Sequence, residues 1–99
     1  MSKKISDVEY KNISAEVINA INQYTDEDMD PTSLGFDPMK IFLTKNLGIG
    51  PTLIGQLSVP LTKISNRHGG RGVGVISASE AQTVDDELKL VIASIEEKK

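Results

Sequence analysis

Apolar residues recur at helical spacing near both ends of the chain and break into shorter runs between. Tyr10, Ile13, Val17, Ala20, Ile21 and Tyr24 draw one stripe, the rhythm of a helix with a single buried face. That spacing predicts a helix over about 7–24, with Ser6 or Asp7 as its N-cap. Ala81, Val84, Leu88, Val91, Ile92 and Ile95 repeat the pattern and predict a second long helix over about 79–97. At its entrance Ser77-Ala78-Ser79-Glu80 has the form of a capping box: a hydroxyl for the Glu80 amide and a carboxylate reaching back.

Punctuation governs the middle. Thr25 to Phe36 reads as an acidic loop carrying Pro31 and Gly35. Asp37 as cap, Pro38 at the first helical position and Gly48 as the stop predict a short helix over 38–47. Gly50-Pro51 starts another, with Leu53, Ile54, Leu57, Leu61 and Ile64 keeping helical rhythm over 51–65. Pro60 must kink or divide it, because proline has no amide to donate. Four glycines among the nine residues from Asn66 to Gly74 predict a flexible loop over 66–76, with Val73 to Ile76 as a short extended piece. Residues 1–5 and 97–99 are expected to fray. The expected fold is all-α, one domain spanning 1–99, a bundle of four to five helices in which the outer pair encloses the hairpin pair. With four aromatic residues in 99, the core must be aliphatic. It is expected to comprise Tyr10, Ile13, Val17, Ile21, Phe42, Leu43, Leu53, Leu57, Leu61, Leu88, Val91, Ile92 and Ile95.

Charge sharpens this picture. The 42 residues from Pro38 to Ser79 hold no Asp or Glu but carry Lys40, Lys45, Lys63, Arg67 and Arg71, a charge of +5. Residues 1–37 sum to −5 and 80–99 to −3, so the overall −3 hides a cationic centre between acidic ends. An anionic partner responds to that local field rather than to net charge. Without cysteine there is no disulfide framework, thiolate metal site or thiol nucleophile. No apolar run approaches the ~18 residues that span a bilayer, Met1-Ser2-Lys3-Lys4 leads into no apolar signal core, and Ser2 replaces the glycine that myristoylation needs. The expected location is the cytoplasm, or a virion assembled there.

The sharpest local pattern is Leu47-Gly48-Ile49-Gly50-Pro51 followed by Leu53, Ile54 and Leu57. It resembles the helix-hairpin-helix motif of DNA-binding proteins, in which a Gly-hydrophobic-Gly hairpin joins two packed helices. The resemblance spans about 20 residues and implies that hairpin amides and the second helix start hold a DNA phosphate without reading bases. By position, the contacts would be Gly48, Gly50 and Thr52. Free amides at a helix start do attract anions. The other reading is a tight αα-corner with a Gly stop and a Pro start.

A second constellation sets Lys63, Arg67, His68 and Arg71 among Gly69, Gly70, Gly72 and Gly74. Guanidinium groups on a glycine-rich backbone suit phosphate oxygens and give salt-sensitive, sequence-independent affinity. A solvated loop, or an arm ordering against a protein, accounts for it equally. Asp26-Glu27-Asp28-Met29-Asp30 imitates the start of a calcium loop, but Pro31 stands where glycine is needed and Asp37 where a bidentate glutamate belongs. Enzyme readings fail: Gln56 and Leu57 occupy the Lys and Ser/Thr positions of a phosphate-binding loop, and His68 has no carboxylate nearby in sequence. Ser33 to Met39 resembles the pantetheine-bearing region of acyl carrier proteins, yet Pro38 at the attachment position has no hydroxyl.

The sequence therefore predicts a non-enzymatic binding protein without metal or cofactor. It would contact a nucleic-acid backbone through Gly48, Gly50, Thr52, Lys63, Arg67, His68 and Arg71. The alternative is an assembly or adaptor module, such as a small virion component, whose charged regions pair between subunits. No membrane partner is expected, and homo-oligomerisation is open.

Overall fold

In the computed structural model, which describes residues 5–96, the local sequence signals resolve into five α-helices and one 3-10 turn. The first helix, α1 (Asp7–Asn22), starts where Ser6 Oγ accepts the Glu9 amide at 3.2 Å. Asp7 and Glu9 in its first turn complement the helix dipole. Ile13, Val17, Ile18 and Ile21 form its buried stripe. The acidic loop beyond is anchored by Asn22, whose side-chain amide donates to Met29 O and accepts from Met29 N at 2.9 and 3.0 Å. The 1–4 and 97–99 termini, expected to fray, lie outside the described residues; Ile5 packs against the core.

The helix expected over 38–47 ends after one 3-10 turn, Pro38–Lys40, capped by Asp37 as its sequence indicates. Ile41 then turns extended, and Phe42 forms an isolated antiparallel bridge with Thr83. Leu43 N donates to Gln82 O and Val84 N to Ile41 O, while Asn46 Oδ1 takes the Phe42 amide. Tertiary pairing wins here because β-branched and aromatic residues give up little by leaving a helix.

Helix α2 (Pro51–Gln56) passes through Leu57 into α3 (Ser58–Arg67). The division Pro60 demands falls one turn earlier, where the Gln56 carbonyl loses its proline-blocked partner. Helix α3 ends in a Schellman motif: Gly69 at φ +83° donates to Asn66 O, and Gly70 donates to Ser65 O. The expected flexible loop over 66–76 is redrawn. Asn66 and Arg67 finish α3, and Val75 and Ile76, expected extended, open α4 (Val75–Glu80). What lies between is tied down: Arg71 N donates to Ser94 O, Ser65 Oγ to Arg71 O, and Val73 N to Thr62 Oγ1.

The last helix is also shorter than its apolar period suggests. Ala81 is extended, and α5 (Val84–Glu96) begins afresh behind Thr83. The capping box sits there rather than at Ser77–Glu80. Thr83 Oγ1 accepts the Asp86 amide at 3.1 Å, and Asp86 Oδ2 accepts from Thr83 N and Gln82 N at 3.2 and 3.0 Å.

Helix α5 packs on α1 and α3, and α2 packs on α4. The extents, 38 × 31 × 18 Å, make the short axis two helix layers deep. The expected aliphatic core is present, with Ile13, Val17, Ile21, Leu43, Leu57, Leu61, Leu88, Val91 and Ile95 buried and Ile92 partly so. Tyr10, Phe42 and Leu53 are instead exposed; Ile18, Ile49, Ile54, Ile64, Val73 and Val84 fill the interior with them. No described helix is long and apolar enough to cross a membrane.

Candidate functional site

The Gly48–Gly50 hairpin is built around a buried isoleucine. Gly48, at φ +68°, takes a conformation that a side chain resists, and its amide donates to Thr44 O at 3.0 Å. Ile49 is fully buried, its amide on Leu43 O and its carbonyl accepting from Thr44 Oγ1. Two of the hairpin's amides are thus spent inside the turn. Gly50 caps α2 without a side chain, Pro51 brings no amide, and Thr52 is exposed in the first turn. The adjoining cleft, about 650 Å³, includes Asp26 and Glu27 against a single Lys45, a balance that does not favour an anion.

Arg67 and His68 meet α1 instead. The Arg67 guanidinium bonds Glu16 Oε1 through Nε at 3.1 Å and also through Nη2. His68 Nε2 lies 2.6 Å from Glu16 Oε2, and Nδ1 lies 3.5 Å from Glu9. Burial pulls the Glu16 pKa upward, but the hydrogen bonds from His68 and Arg67 outweigh it and hold the carboxyl below its usual range. The carboxylates that the sequence lacks around His68 therefore arrive from the first helix. Lys63 and Arg67 line one cleft with Glu16 and Asn19. Arg71 is fixed through its backbone to Ser94 and Ser65. The seven expected residues do not form one site. Gly48 lies beyond the C-terminal end of α1 near Thr25, and Gly50 and Thr52 stand at the start of α2, with Thr52 on a separate cleft. Lys63, Arg67 and His68 lie along α1 near Glu16, and Arg71 sits by Ser94 and Ser65. Gly48 and Lys63 share no cleft.

A different surface stands out. No charged residue occurs between Lys45 and Lys63, and none between Arg71 and Glu80. The fold lays these two stretches side by side as α2, the start of α3, and α4. Gly55 faces α4, where a methyl group would sit at ordinary contact distance, 3.5 Å from Val75 Cγ1 and 3.6 Å from Ser79 Cβ.

No family model, curated protein or solved structure matches this chain.

Geometry alone therefore carries the function. On the α2–α4 face, Ile76 is 75% exposed, Val75 61% and Val59 56%. Val59 and Val75, but not Ile76, line a cleft of about 430 Å³ together with Pro51, Gly55, Ser58 and Ser79. A second cleft of about 450 Å³ shares Pro51 and Ser79 and continues the face to Ile54 and the half-exposed Phe42. The first cleft has no charged residue in its lining, whereas the second includes Lys45 and Glu80. Helical periodicity passes over these residues because Val59, Val75 and Ile76 lie off the buried stripes. The signal that finds them is the pair of charge-free runs.

Proposed function

We propose that this chain is a non-enzymatic protein-interaction module that docks another polypeptide on its α2–α4 face. The observation that carries the reading is the exposure of Val59 and Val75 along a cleft whose lining holds no charged residue, with Ile76 exposed next to Val75 on α4. Aliphatic knobs beside a shallow hollow suit side-chain packing by a partner. A phosphate backbone would gain nothing from this face. The cations that would serve it include Arg67, already bonded to Glu16. The absence of cysteine suits a reducing compartment such as the cytoplasm.

Site-specific photo-crosslinking tests the reading. A photoreactive residue in place of Ile76 should form covalent adducts with a polypeptide in cells producing the full chain. The same residue in place of Val8, 70% exposed on α1, should give none. Absence of any polypeptide adduct at position 76 would overturn the reading. So would tight binding of a duplex of about 20 base pairs at about 50 mM salt that weakens steeply with salt and is flattened by Lys63→Ala and Arg71→Ala. That result would restore the nucleic-acid function.

A further inference from the structure

We draw no further inference here: the strongest candidate, the exposed aliphatic patch of Val59, Val75 and Ile76 on the α2–α4 face, belongs to the surface already described, and nothing in the structure shows what covers it.

Discussion

Glu87 is the residue most at odds with its surroundings. It is fully buried, and neither carboxyl oxygen has a hydrogen-bond partner among the described residues. Burial, reinforced by the neighbouring Asp86 charge, pushes its pKa from 4.5 up to about 8, so the side chain is held as the neutral acid at neutral pH. The folded state then binds this proton more tightly than the unfolded chain does. The resulting stabilisation is complete below 4.5 and is lost as pH rises toward about 8. Urea melts should show wild-type stability falling across that window, whereas Glu87→Gln should flatten the fall and be the more stable protein at about pH 8. Equal slopes for the two proteins would mean that Glu87 ionises freely. Gly70 is the second special residue. A Cβ there would lie 2.3 Å from Ser65 Oγ and 2.9 Å from Ile95 Cα, and neither can yield, one being bonded to Arg71 O and the other main chain. Gly70→Ala should cost about 2 kcal/mol or more by denaturant titration. Gly55→Ala, which meets its neighbours at ordinary contact distance, should instead be neutral or stabilising by up to about 1 kcal/mol.

At the scale of elements, helix starts decide where the chain divides. The apolar rhythm runs from Ala81 into α5 without marking a boundary, yet Thr83 and Asp86 satisfy three amides at that point and fix the start. Backbone hydrogen bonds to Gln82 and Thr83, working against burial, hold the Asp86 pKa below its usual range. Thr83→Ala should therefore cost about 1 kcal/mol, with faster amide hydrogen exchange in the first turn of α5 and in Leu43, whose amide pairs with Gln82. Unchanged exchange at Leu43 would show that the cap and the 41–43 segment are independent. Both Ser77-x-x-Glu80 and Thr83-x-x-Asp86 are legible as caps. Choosing between them needs the Phe42–Thr83 bridge, a pairing 41 residues apart that no local pattern reveals.

Across the whole molecule, charge is shared between distant segments. The cationic centre meets the acidic first helix at Glu16, which collects Arg67 and His68. Arg67 is 58% exposed, so its pair contributes little: a double-mutant cycle of Glu16→Ala with Arg67→Ala should give at most about 1 kcal/mol, shrinking as salt is added. A coupling well above that would indicate a site that water does not screen. The consequence for function is larger than the energy. Arg67, bonded to Glu16, is poorly placed to serve an external anion.

The sequence by itself determined that the chain is helical, that α1 and α5 bury aliphatic stripes, that Pro60 divides the central segment, and that acid is absent from 38–79. Each of these is a local or periodic property, set by backbone geometry and by which side chains avoid water. Tertiary structure decided the rest. It ended the helix after Lys40, tied down the glycine-rich loop and brought Glu16 to Arg67. It also stacked two charge-free runs into one face. These are contacts between residues far apart in the chain, where pairing and packing override local preference.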